Sequence, residues 1–178
     1  VPCGFGKTVI ALYLMAALGK KTIVIVHKEF LMDQWKERIQ FFLPDAKIGK
    51  IQGKVVKVEG YDIVLGMLQS ISMRDYDEDI FNDFGMVIYD ECHHLGAEVF
   101  SRSLLKLQCN YTLGLSATPT RSDGLTKVFE WFLGDIVYLI KKREKEEVKV
   151  RLIEYYSDDE KYSDIKVNFK GQVNSPSM

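Results

Sequence analysis

Residues 1–26 read VPCGFGKTVIALYLMAALGKKTIVIV, and the order of elements within this stretch decides the fold. Pro2-Cys3-Gly4-Phe5-Gly6-Lys7-Thr8 is rich in glycine and ends on a lysine and a hydroxyl. Thr8 to Leu18 follows, apolar on nearly every face and bounded by Gly6 and Gly19, which predicts a short buried helix with a glycine stop. Thr22 to Val26 then runs β-branched without alternation, as a central strand covered on both faces does. A glycine-rich turn that opens directly onto a helix is the context a phosphate-binding loop requires. Its glycines let backbone amides converge on phosphate oxygens, Lys7 brings positive charge to the terminal phosphates, and the Thr8 hydroxyl can ligate magnesium. The common pattern has glycine six positions before the lysine, where this chain has Val1, and the strand expected to feed the loop would lie upstream. Short glycine patterns also recur in ordinary turns, so the heptapeptide alone leaves both readings open.

Outward from this stretch the alternation continues. Glu29 to Phe42 carries Phe30, Leu31, Trp35, Ile39 and Phe42 near helical spacing and ends before Pro44, which predicts an amphipathic helix. Short strands are expected at Ile48 to Ile51, Asp62 to Gly66, Gly85 to Tyr89 and Tyr111 to Leu115, with a helix at Ala97 to Leu107. Leu125 to Phe132 and Ile136 to Ile140 read as a closing helix and strand. Strands and helices in this order predict an α/β fold, a mostly parallel sheet with helices on both faces. After Ile140 the run Lys141-Lys142-Arg143-Glu144-Lys145-Glu146-Glu147 changes the composition, and a β-rich stretch, Val148 to Tyr156, follows. The expected division is therefore a nucleotide-binding domain over 1–140 and, over 141–178, a linker with the incomplete start of a second region.

Composition bounds the function. A formal net charge of -1 over 178 residues offers no global attraction to phosphate backbones, so any nucleic-acid contact must be local. The longest apolar stretch, Val9 to Leu18, is too short to span a bilayer, and an intracellular protein is expected. Cys3, Cys92 and Cys109 have neither metal-type nor framework spacing and read as reduced thiols.

Val87-Ile88-Tyr89-Asp90-Glu91-Cys92-His93-His94 places two adjacent carboxylates where a buried strand emerges at its carboxyl edge, where ligands of open α/β sheets bind. Asp90 would hold magnesium directly or through water, and Glu91 would orient and deprotonate the water that attacks a γ-phosphate. By itself the pair also fits a solvated strand end; the upstream loop favours the functional reading. His93 and His94 form no metal set with Cys92, because adjacent residues cannot all point at one ion. Gly114-Leu115-Ser116-Ala117-Thr118-Pro119 follows the next strand with two small hydroxyls at the same edge, suited to bonding the acidic cluster in one nucleotide state and releasing it in another.

Taken in order, these segments resemble the superfamily 2 helicases. Pro2 to Thr8 is similar to motif I, Asp90 to His93 reads DECH for motif II, and Ser116-Ala117-Thr118 reads SAT for motif III. Ile25 to Trp35 is similar to motif Ia, and Gly66 to Ile71 to the segment near motif Ic. The wording around the phosphate loop, together with Arg121-Ser122-Asp123-Gly124, most resembles the branch that holds XPB-type repair helicases and restriction-enzyme motor subunits.

The resemblance implies a RecA-like P-loop NTPase domain that uses ATP and Mg2+. It implies nucleotide contacts from Pro2, Cys3, Gly4, Phe5, Gly6, Lys7 and Thr8, and metal contacts from Thr8 and Asp90. Catalysis would fall to Lys7, Asp90 and Glu91, and coupling to His93, Ser116, Ala117 and Thr118. His27 and Lys28 with Gln69 and Ser70 would line the nucleic-acid face, DNA in preference to RNA, although His27-Lys28 also reads as a polar strand-to-helix turn. Trp35 falls on the apolar stripe of its helix and reads as core rather than as a base-stacking platform. Family motors pair two such domains around ATP, so a second RecA-like domain of the same chain is the expected partner. A duplex translocase without unwinding, an RNA helicase and a binding module with weak ATPase are the alternatives.

Overall fold

In the computed structural model, residues 6–91, 97–117 and 126–139 are described. The chain divides into two compact units, Val1–Lys142 and Arg143–Met178; the second lies wholly outside the described residues.

The first unit is built on a six-stranded sheet. Its strands are β1 (Thr22–Val26), β2 (Ile48–Gln52), β3 (Val55–Lys57), β4 (Ile63–Met67), β5 (Met86–Asp90) and β6 (Tyr111–Leu115). They lie in the order β3-β2-β4-β1-β5-β6. Every pairing is parallel except β2 with β3, which form an antiparallel hairpin at one edge. The helices are α1 (Lys7–Leu18), α2 (Glu29–Phe42), α3 (Leu68–Met73), α4 (Ala97–Lys106) and α5 (Thr126–Leu133).

Two cores flank the sheet, as the continuous apolar runs of β1, β4 and β5 require: each of these strands is buried at every position, so each supplies side chains to both faces. On one face Val24, Val26, Leu65 and Ile88 pack with Ala11, Leu12 and Met15 of α1 and Met32, Trp35 and Ile39 of α2. On the other, Ile23, Ile25, Val64, Val87 and Tyr89 pack with Leu68 and Ile71 of α3 and with Leu104 near the end of α4. Ser72 Oγ donates to the Val99 carbonyl at 2.6 Å and ties α3 to α4.

β1, α2 and β6 have the limits the sequence predicts, and β2, β4, β5, α4 and α5 fall within one residue of them. Four departures matter. The hairpin strand β3 and the short helix α3 were not expected. Residues 136–139 form no strand, and Ile140 lies outside the described residues. The β-branched and aromatic run there satisfies local preference, but a strand also needs a neighbour to take its backbone bonds, and no strand among the described residues pairs with it. Here the run is solvent-exposed, Val137 by 90%. Finally, α1 is not the buried helix its all-round apolar sequence predicts. One side packs on the sheet through Ala11, Leu12 and Met15, while Val9, Ile10 and Tyr13 are exposed, Tyr13 by 71%.

Candidate nucleotide site

The parallel strands align their carboxyl ends, so the residues that follow them converge on one edge. Val26 pairs with Met67, and Asp90 with Leu115, which sets His27-Lys28, Leu68-Gln69, Glu91 and Ser116-Ala117 along that edge. Gly6, in the left-handed conformation at φ 77°, turns the chain into α1 and delivers Lys7 to the same place.

Lys7 Nζ donates to Glu91 Oε1 at 2.9 Å. Both side chains are largely withdrawn from water, 11% and 20% exposed, so each offsets the desolvation of the other. Glu91 holds this position with φ 49°, a left-handed backbone rare outside glycine that costs about 1 kcal/mol. The two adjacent carboxylates meet different partners, Glu91 the ammonium of Lys7 and Asp90 the indole of Trp35.

Asp90 is 8% exposed. Its Oδ1 accepts from the Glu91 backbone N–H at 3.0 Å, and its Oδ2 accepts from Trp35 Nε1 at 2.7 Å. Burial pushes its carboxyl above the usual carboxylate range and the neighbouring Glu91 charge adds to this, while the Trp35 and Glu91 hydrogen bonds and Lys7 pull it back. Trp35 is the residue that sequence reasoning under-read. It is core, as expected, at 2% exposed, yet its N–H is spent on Asp90. A signal existed: a tryptophan on an apolar stripe brings a donor into the core, and that donor needs an acceptor.

A cleft of about 750 Å³ opens between α1 and α2 and is lined by Lys7, Thr8, Gln34, Arg38, Phe41 and Asp90. Its hard oxygen donors, the Thr8 hydroxyl and the Asp90 carboxylate, fit magnesium, which takes few protein ligands alongside phosphate and water. An ionised carboxylate has about four lone-pair sites, so the two hydrogen bonds to Asp90 leave capacity for a cation. Arg38 and Phe41 entered no motif, and Gln34 entered only as part of the segment similar to motif Ia; all three lie on α2, which also carries Trp35.

Of the remaining predicted residues, Pro2, Cys3, Gly4, Phe5, His93 and Thr118 lie outside the described residues. Ser116 and Ala117 are half-buried just past β6. The His27 carbonyl accepts from Gln69 Nε2 at 3.2 Å, joining the ends of β1 and β4, and Lys28 lies exposed at the start of α2. Ser70 is placed differently from the expectation of a phosphate-facing hydroxyl. It is 8% exposed, and its Oγ accepts from Gly53 N at 2.9 Å. With Tyr76, whose hydroxyl donates to the Gly53 carbonyl at 2.7 Å, it clamps the tip of the β2–β3 hairpin.

Residues 1–121 match the family model described as the type III restriction enzyme, res subunit. Among curated proteins, the chain is 40% identical over 175 residues to a putative ATP-dependent RNA helicase of Acanthamoeba polyphaga mimivirus, covering 98% of this chain and 33% of that protein. It is 36% identical over 138 residues to the DNA 3'-5' translocase XPB2 of Sulfurisphaera tokodaii, covering 78% of this chain and 30% of the relative. The chain thus spans about a third of the length of these relatives. In fold it is similar to the UvsW helicase of bacteriophage T4, with a TM-score of 0.63 at 24% identity over 75% of this chain and 51% of that one. No helix among the described residues is long and apolar enough to cross a membrane. The mostly parallel sheet, the helices on both its faces and the matched sequence together place the chain in the type III restriction enzyme res-subunit family of superfamily 2 helicases, as a RecA-like domain.

Proposed function

We propose that this chain is the first motor domain of an ATP-dependent DNA helicase, binding Mg-ATP in the Lys7–Asp90 cleft and using its hydrolysis to drive translocation and strand separation. The observation that carries this reading is the meeting of Lys7 and Glu91 at 2.9 Å, on the edge where Asp90 also emerges. A terminal phosphate entering the cleft competes with Glu91 for Lys7, because a phosphate offers the ammonium more negative charge than one carboxylate does. Release from Lys7 frees Glu91 to accept a proton from a water molecule and turn it toward the γ-phosphate. Thr8 and Asp90 would hold magnesium, which supplies charge neutralisation on the phosphate oxygens when bound. Pro2 to Gly6 would cradle the phosphates, and His93, Ser116, Ala117 and Thr118 would couple their state to motion.

His27, Lys28 and Gln69 serve as the nucleic-acid face in this reading, with Ser70 acting through the hairpin it holds. DNA is favoured by the similarity to the XPB2 translocase. RNA is the second reading, favoured by the name of the mimivirus relative. We also assign 1–140 to this domain and 141–178 to the passage toward a second RecA-like domain, whose arginines would complete the site. An arginine of that kind contributes orders of magnitude to phosphoryl transfer, so the 178-residue chain alone should turn ATP over slowly. The test is ATP turnover by the full-length gene product with single-stranded DNA, duplex DNA and RNA, paired with strand displacement. DNA-stimulated turnover with displacement supports the proposal; stimulation without displacement makes it a duplex translocase, and RNA-only stimulation an RNA helicase. Turnover indifferent to any nucleic acid contradicts the motor reading.

A further inference from the structure

Building on the nucleotide site proposed above, we infer that Trp35 is a positioning residue that fixes the Asp90 carboxylate for the metal through its indole N–H. The bond from Nε1 to Oδ2 is 2.7 Å, buried, and joins residues 55 apart in sequence. With Oδ1 held by the Glu91 N–H, both oxygens of Asp90 are engaged and the plane of the carboxylate is set. Rotating that plane would strand the indole donor inside the core formed by Met32, Ile39, Val26 and Ile88, where an unmade hydrogen bond carries its full desolvation cost. The remaining lone pairs are thereby aimed in a fixed direction. Trp35 itself lines the cleft with Thr8 and Asp90. A tryptophan needed only for packing would fill the same volume with its N–H pointed at any acceptor. Here the acceptor is the one carboxylate that, with Thr8, would hold the cation.

Two measurements test this. In the first, ADP affinity of the full-length gene product is titrated with and without Mg2+ for the wild type and Trp35→Phe, which keeps an aromatic ring and removes the donor. The inference predicts that Mg-free affinity stays unchanged while the tightening produced by Mg2+ falls by about 10-fold, the scale on which partners of metal ligands act. Equal tightening in both proteins, or parallel losses with and without Mg2+, would overturn it. A wild type whose ADP affinity ignores Mg2+ would overturn the nucleotide-site reading itself, a distinct result. In the second, Trp35 stays in place: the 178-residue chain carries one other tryptophan, Trp131, exposed by 78% in α5. With Trp131→Phe in the 178-residue chain, the emission of Trp35 should shift further on adding Mg2+ with ADP than on adding ADP alone. An emission that responds identically to both additions counts against the inference, even where Trp35→Phe fails to fold.

Discussion

Lys7 Nζ and Glu91 Oε1 lie 2.9 Å apart although 84 residues separate them in sequence. One residue opens α1 and the other follows β5, so their meeting depends on α1 lying against the sheet next to the strand that ends in Asp90. The chemistry proposed for the cleft begins with the exchange of this ion pair for a phosphate.

Replacing Lys7 with alanine should therefore cut nucleotide turnover by roughly a hundredfold or more, the scale on which a single charge-stabilising group acts. Circular dichroism should retain the wild-type spectrum, because Lys7 sits at the first position of α1 and contributes nothing to either core. Turnover within a few-fold of wild type would remove Lys7 from the site.

Asp90→Asn should separate function from stability. Burial raises the Asp90 pKa in the folded protein above its unfolded value. A raised carboxyl favours the folded state while it is protonated, and that advantage disappears as pH rises through the folded pKa. At neutral pH the ionised group is a cost that asparagine removes, but with its carbonyl kept on Trp35 its NH2 group faces the Glu91 N–H, donor against donor. The variant should gain less stability toward acid pH than the wild type does, while Mg-supported turnover is lost. Thermal melts across pH check the sign.

Lys28 stands exposed where β1 hands over to α2, beside His27 and Gln69. As a phosphate contact, its removal in Lys28→Ala should weaken DNA binding by a similar factor for every sequence. It should also reduce the slope of log affinity against log salt by about one. Binding isotherms at several salt concentrations measure both.

Gly49 tests the hairpin. A Cβ built there would collide with the backbone carbonyl of Lys57 on the paired strand, an atom that cannot turn aside. Gly49→Ala should destabilise the domain by about 2 kcal/mol, in the range for overpacking, and loosen the Gly53 tip held by Ser70 and Tyr76. Denaturant unfolding gives the cost, and exchange of the Gly53 amide reports the tip.

The sequence made visible whatever depends on a single element. The β-branched run Thr22–Val26 and the helical stripe of Glu29–Phe42 each carry their own periodicity, and the DECH and SAT wording carries the family. Features that depend on two elements at once were harder to read. β3 is a three-residue strand exposed at every position, visible only as the partner of β2. Residues 136–139 have strand composition without a strand pairing among the described residues. Ser70, offered by its motif as a surface hydroxyl, proved to be committed to Gly53. The Trp35–Asp90 bond has no local trace beyond the need of a buried indole for an acceptor.

The central claim is that Lys7, Asp90 and Glu91 serve one triphosphate and its metal ion. Anomalous diffraction from crystals of the full-length gene product grown with Mn2+ and a non-hydrolysable ATP analogue tests it most directly. The account predicts a manganese peak within coordination distance of Asp90 or of a water bound to it, with Lys7 Nζ moved from Glu91 onto the terminal phosphates. Phosphates bound elsewhere, with the Lys7–Glu91 pair still closed, would contradict it.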